Sequence, residues 1–185
     1  MLKQPRVGRV KTRLGKDIGF VAATWWFRHQ TRSLVRRLSN GPWEICLAVA
    51  PDRVASTATE WPLDIPRIPQ GGGDLGDRMG RILRCRLAAR VCIVGGDIPG
   101  IRAHHIARAF RALGANEYVL GPAPDGGYWL VGTRSGFAQP PSLFKDVRWS
   151  TEHTCSDTIR TFEGRSYALV DTLRDVDTED DLNWQ

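Results

Sequence analysis

The chain has no apolar run approaching the ~20 residues that a membrane-spanning helix needs, so no membrane span is expected. Its basic opening, residues 1–13, leads into no apolar segment and does not read as a secretory signal. Cysteine is sparse: Cys46, Cys85, Cys92 and Cys155 are scattered, and none forms a C-x-x-C pair. That excludes a disulfide framework or a thiolate zinc site. It predicts reduced thiols in a cytoplasmic protein, with Cys46 and Cys92 buried in apolar strand-like runs. Histidine contributes little. His104 and His105 are adjacent on a helix and cannot face the same way, while His29 and His153 lack obvious ligand partners. No Ser-His-Asp signature, internal repeat or domain linker is visible, and residues 1–185 are expected to form one domain.

What is present is ordinary in bulk: 42% hydrophobic and 25% charged residues, with a net charge of +6. The excess carries no aromatic-interleaved basic stripe, so a nucleic-acid partner is not expected. A phosphate-bearing small molecule accounts for it equally well. The pattern of elements alternates. Residues 20–38 lack Pro and Gly and place Ala23, Phe27, Leu34 and Leu38 on one helical face, with Gly41-Pro42 as the stop. Strands are predicted over 43–50, 65–68, 91–94, 117–121, 128–132 and 167–170. Helices are predicted over 79–89, 102–113 and 151–162, with a last one over 175–182. Residues 1–14 read as a loop. Strands alternating with helices argue for an α/β sandwich with a mainly parallel sheet.

The stretch Val91-Cys92-Ile93-Val94-Gly95-Gly96-Asp97-Ile98-Pro99 stands out. An apolar, β-branched run buried on both faces would end in two glycines that let the backbone turn. The proline then pushes Asp97 toward extended geometry. A carboxylate at the carboxyl end of a central strand is where open α/β sheets bind ligands. Asp97 is therefore the first candidate, as a holder of a divalent metal against a nucleotide phosphate. Downstream, Asp175-Val176-Asp177-Thr178 either N-caps the following helix through Asp177 or Thr178 or, if extended, places two carboxylates on one face as a complement to Asp97, since hard divalent cations want oxygen ligands. Glu179, Asp180 and Asp181 read as capping and solvation.

Three further stretches admit two readings each. Lys11-Thr12-Arg13, with Gly8 ahead of it, is either a solvated basic terminus or a polyphosphate grip, arginine binding two oxygens and lysine acting as a point charge. Gly71-Gly72-Gly73-Asp74-Leu75-Gly76 is either a surface loop or a cradle of backbone amides at a helix start, with Arg78 in reach of substrate. Asp125-Gly126-Gly127 is either a hairpin turn or a site where the carboxylate and two amides hold hydroxyls of an acceptor or sugar.

Taken in order, these segments resemble one family: small bacterial GT-A-like proteins grouped with nucleotide-diphospho-sugar transferases, also called radical-SAM/selenodomain-associated transferases. The likeness rests on Lys3, Pro5, Gly8 and Val10 to Leu14, on Gly73 to Met79, on Gly95 to Gly100 and on Gly121 to Tyr128. It continues through Leu143-Phe144, Trp149-Ser150-Thr151 and Asp175 to Thr178. The resemblance implies a three-layer GT-A sandwich and a glycosyltransferase using a nucleotide-diphospho-sugar donor. Alternatives are a nucleotidyltransferase releasing pyrophosphate from a nucleoside triphosphate, or a non-catalytic nucleotide-binding remnant. Carried over, Lys11 and Arg13 hold phosphate. Asp97 and Asp177 hold Mg2+ or Mn2+, with Asp175 as the second choice, and Asp125 sits near an unidentified acceptor. Asp97 and Asp125 are the catalytic candidates. Gly8, Lys11, Arg13, Gly73, Asp74, Arg78, Gly126 and Gly127 are the substrate-binding ones. The family carries an apolar strand before the Lys-x-Pro loop, whereas only Met1 and Leu2 precede Lys3 here. The first strand is therefore expected to be missing, with the exposed sheet edges covered by a neighbouring segment or by a second copy in a homodimer.

Overall fold

A computed structural model describes residues 1–57, 59–62, 64–85, 89–136 and 138–183. The chain divides into two compact units. One comprises Met1–Gly71, Gly95–Ala103 and Asp175–Gln185, the other Gly72–Val94 and His104–Arg174.

The first unit holds β1 (Leu2–Lys3), α1 (Thr12–Ile18), α2 (Phe20–Leu38), β2 (Leu47–Ala50) and β3 (Arg67–Pro69). The three strands are parallel in the order β1-β2-β3, with Leu2 opposite Val49 and Ala48 opposite Ile68. Two residues thus stand as a strand where the sequence reading expected none. They are held because Leu2 is buried with Val10, Phe27, Val35, Leu47, Val49, Val54 and Trp61. The buried Gln70 amide also donates to the Leu2 and Ala48 carbonyls, both at 2.9 Å. Residues 12–14, expected as loop, open the helix α1, because Leu14 and Ile18, one turn apart, both pack inward. Gly19, at φ 89°, separates α1 from α2. The predicted face of α2 is the buried one: Ala23, Phe27, Leu34 and Leu38 are all buried. The strand predicted over 43–50 shrinks to β2, and Cys46 just before it is exposed rather than buried.

The second unit holds α3 (Leu75–Arg84), β4 (Arg90–Val94), α4 (Ala103–Ala112, whose first residue belongs to the other unit), β5 (Tyr118–Pro122), β6 (Tyr128–Arg134), α5 (Thr154–Arg160) and β7 (Tyr167–Leu169). Its sheet runs β4-β6-β5-β7 and is mixed, where a mainly parallel sheet was expected. β6 is antiparallel to both neighbours and β5 is parallel to β7. The cause is local. Residues 122–127 form a tight turn, with Ala123 N–H donating to the Gly127 carbonyl at 3.0 Å, and a chain reversed so tightly must pair antiparallel. β4, expected as a strand buried on both faces, pairs antiparallel with β6, and only Ile93 along it is buried. Tyr118, Val119, Leu120, Leu130 and Val131 form the sheet core, and the Tyr118 and Phe162 rings stack 4.0 Å apart. α3 ends at Arg84. Residues 86–88 of the helix expected to reach 89 lie outside the described residues. The expected terminal helix is an irregular segment followed by a 3-10 turn, Asp180–Asn183.

Candidate functional site

Three sequence-distant stretches of the first unit meet at one place. The C-terminal segment is brought there by packing. Val176 is buried with Leu14 and Ala23, and Ile18, Trp26 and Leu182 pack around them. Its N–H donates to the Asp97 carbonyl at 3.1 Å, which ties the two acidic segments together through backbone. Asp181 then fixes the turn that follows, its Oδ2 accepting from the N–H groups of Asp177 and Thr178 and from the Thr178 hydroxyl at 3.0, 2.9 and 2.9 Å. Asp17, at the end of α1, accepts the Glu179 N–H at 3.1 Å. On the Asp97 side, Gly96 packs where a side chain would collide with Leu2 and Thr31. The space above this glycine is therefore filled by core.

The outcome is a cluster. One carboxylate oxygen each from Asp97, Asp175 and Asp177 lie within 4.8 Å of one another. Lys11, in left-handed backbone geometry at φ 46°, sends a side chain that is only 6% exposed into this cluster. Its Nζ lies 2.5 Å from Asp97 Oδ2 and 2.7 Å from Asp177 Oδ1. Arg13, largely exposed, donates from Nη1 to the other oxygen of Asp177 at 3.0 Å. Burial disfavours the Lys11 charge, but Asp97 and Asp177 more than offset it and hold the pKa above the ordinary lysine value. Three hard oxygen donors at this spacing suit Mg2+ or Mn2+, and the Lys11 ammonium already bridges two of the three carboxylates as a cation. The donor set therefore fits such an ion.

The other sequence candidates are held within their own loops. Gly8, at φ 71°, makes the turn ahead of Lys11 and has open space beside it. Gly73, Asp74 and Arg78 belong to the second unit, and their contacts build their own loop. Asp74 caps α3 through the Asp77 N–H at 2.8 Å, Asp77 Oδ2 returns the bond to the Asp74 N–H at 3.1 Å, and Arg78 Nε donates to the Gly73 carbonyl at 3.0 Å. Asp125, Gly126 and Gly127 form the hairpin. The Gly127 N–H donates to Asp125 Oδ1 at 2.9 Å and the Gly126 N–H to the Ala123 carbonyl at 3.1 Å, so both amides offered to a ligand are used within the turn. Sequence reasoning missed Asp17 as a residue that fixes the acidic segment, whereas Asp181 does the capping expected of it. The pattern Thr178-x-x-Asp181, a capping-box spacing, carried the signal for that capping.

The comparisons with known proteins bear on this geometry. Residues 34–151 match the model of a family described as "Uncharacterized protein conserved in bacteria (DUF2064)". The chain belongs to the DUF2064 family. No curated protein matches it. A crystal structure from Desulfovibrio desulfuricans G20, described as a "putative nucleotide-diphospho-sugar transferase", is 29% identical with a TM-score of 0.87. The match covers 98% of this DUF2064 chain and 82% of that one. The mixed α/β architecture with parallel and mixed sheets matches that structure and supports a GT-A-like assignment. A second crystal structure, of a Mycobacterium tuberculosis rv0371c homolog from Mycobacterium sp. strain JC1, is 16% identical with a TM-score of 0.51. It covers 83% of this chain and 79% of its own, and shares the fold alone. Among the described residues no helix is long and apolar enough to cross a membrane.

Proposed function

We propose that this DUF2064 chain is a metal-assisted transferase acting on a nucleotide-activated donor, with glycosyl transfer from a nucleotide-diphospho-sugar as the leading reaction. One observation carries the reading: the carboxylates of Asp97, Asp175 and Asp177 meet in one cluster with Lys11 and Arg13 on it. The likeness to the Desulfovibrio protein, described as a transferase of this class, supports it.

In this reading Asp97, Asp175 and Asp177 hold Mg2+ or Mn2+, which when bound supplies Lewis-acid stabilisation of the charge that collects on the departing nucleoside diphosphate. Lys11 and Arg13 turn toward the same phosphate oxygens and neutralise them by charge-assisted hydrogen bonds. The bond from the anomeric carbon to the phosphate oxygen breaks, the acceptor oxygen bonds to that carbon, and the acceptor proton passes to a base. A role for Asp125 as that base rests on the family resemblance alone. Nucleotidyl transfer is the second reading. Lys11 and Arg13, both on Asp177, would serve it equally by meeting the charge of a pyrophosphate leaving group.

The test is incubation with Mg2+ and either sugar nucleotides or nucleoside triphosphates, reading nucleoside diphosphate and pyrophosphate release. Nucleoside diphosphate from a sugar nucleotide supports glycosyl transfer, and pyrophosphate supports the second reading. Magnesium-dependent nucleotide binding with neither product points to a non-catalytic nucleotide binder.

A further inference from the structure

Both carboxylate oxygens of Asp177 are engaged by side-chain cations, Oδ1 by Lys11 at 2.7 Å and Oδ2 by Arg13 at 3.0 Å. Asp97 Oδ2 is engaged by the same Lys11 ammonium at 2.5 Å. A divalent ion that uses Asp97 Oδ2 or Asp177 Oδ1 must share that oxygen with Lys11 or displace it. Sharing is unfavourable: an ammonium and a metal on one oxygen would stand within about 4 Å of each other as like charges. Displacement has its own condition. The Lys11 side chain is only 6% exposed, so its charge leaves two buried contacts and needs another anion to receive it. Arg13 is different, with 66% of its side chain exposed to water.

We infer that Lys11 is an internal cation that competes with the divalent metal for Asp97 and Asp177, and that the phosphate chain of the donor draws it off. Metal and phosphate then bind with positive coupling through a single side chain, and the protein alone, without phosphate, holds the metal weakly. The inference rests on the metal-assisted transferase reading and goes beyond it by assigning the order in which the site's charges exchange. Coupling of this kind is reciprocal: whatever factor phosphate adds to metal affinity, metal adds to phosphate affinity.

The experiment is a Mn2+ titration read as free Mn2+ by electron paramagnetic resonance, on the wild-type chain and on Lys11→Met, each with and without inorganic phosphate. A protein-free titration corrects for Mn2+ complexed by phosphate. Expected without phosphate is Mn2+ binding at least tenfold tighter in Lys11→Met than in wild type. Expected with phosphate is a severalfold tightening in wild type that the variant does not show. Equal or weaker Mn2+ binding in Lys11→Met, or equal tightening in both proteins, overturns the inference and leaves the metal site standing. Absence of Mn2+ binding in both proteins overturns the inference and the metal-assisted function together. A second measurement does not depend on the variant folding. Lys11 is one of four lysines, so mass spectrometry after reductive methylation resolves it. Saturating Mg2+ must raise its labelling relative to Lys3, Lys16 and Lys145, and unchanged labelling contradicts the exchange.

Discussion

Replacing Leu14 with alanine tests whether the C-terminal acidic segment is held in place by packing. Leu14 is fully buried on α1 against Ala23 and Val176. Its loss removes a whole leucine side chain and leaves a cavity, at a cost of about 3 to 5 kcal/mol for a site that does not collapse. For a chain of this length, about 2 to 4 °C in Tm accompanies each kcal/mol, so the melting temperature should fall by roughly 6 to 20 °C. Leu14→Met, which nearly conserves volume, should cost less than about 1.5 kcal/mol. The cavity opens under Val176, the residue between Asp175 and Asp177, so Leu14→Ala should also lose much of the thermal stabilisation that Mg2+ gives the wild type. Urea unfolding and thermal shift, with and without Mg2+, read both effects. A loss below about 1 kcal/mol would refute the packing argument. A full loss of stability with the Mg2+ stabilisation unchanged would refute its link to the carboxylates.

Two further outcomes are expected in the second unit. Gly126 has φ 84°, and a Cβ there would overlap the Glu152 main chain. Gly126→Ala should therefore destabilise the chain by about 2 to 4 kcal/mol in urea unfolding, from backbone strain plus overpacking. Asp157 is buried and accepts two side-chain bonds and one backbone bond from Arg148, at 2.8, 2.9 and 3.1 Å, with Arg160 also on it. These hold its carboxyl well below the usual carboxylate range. Its contribution is complete above the unfolded pKa of about 4 and is lost as pH falls toward the folded value. The Tm deficit of Asp157→Asn should therefore be largest at pH 7 and begin to shrink below about pH 4.

Much of this fold is legible in the sequence where one face of an element must be buried. α2 is readable to the residue because it lacks Gly and Pro and its apolar positions recur at helical spacing. The strand leading into Gly95 and Asp97 is readable from β-branched residues, but its antiparallel pairing with β6 is not, because strand neighbours are chosen by long-range pairing. The antiparallel course of β6 was present in the Asp125-Gly126 turn signal, one of the two readings that stretch admitted. At the site, the residue types of Asp97, Asp175 and Asp177 were readable, and their meeting was an expectation from carboxylate chemistry that the resemblance reinforced. What sequence did not carry is the partner of Lys11. A lysine in a basic loop reads as a hand for phosphate, and only the packing of Val176 against Leu14 brings the carboxylates that it grips.

The central claim is that Asp97, Asp175 and Asp177 form one divalent-cation site. Isothermal titration with Mg2+ and with Mn2+ on the wild type, Asp97→Asn and Asp177→Asn, in the presence of a nucleoside diphosphate, tests it most directly. The account predicts one protein site per chain, weakened at least tenfold by either substitution while the fold persists by circular dichroism. Unchanged affinity in both variants, or no protein-bound metal in the wild type, would contradict it.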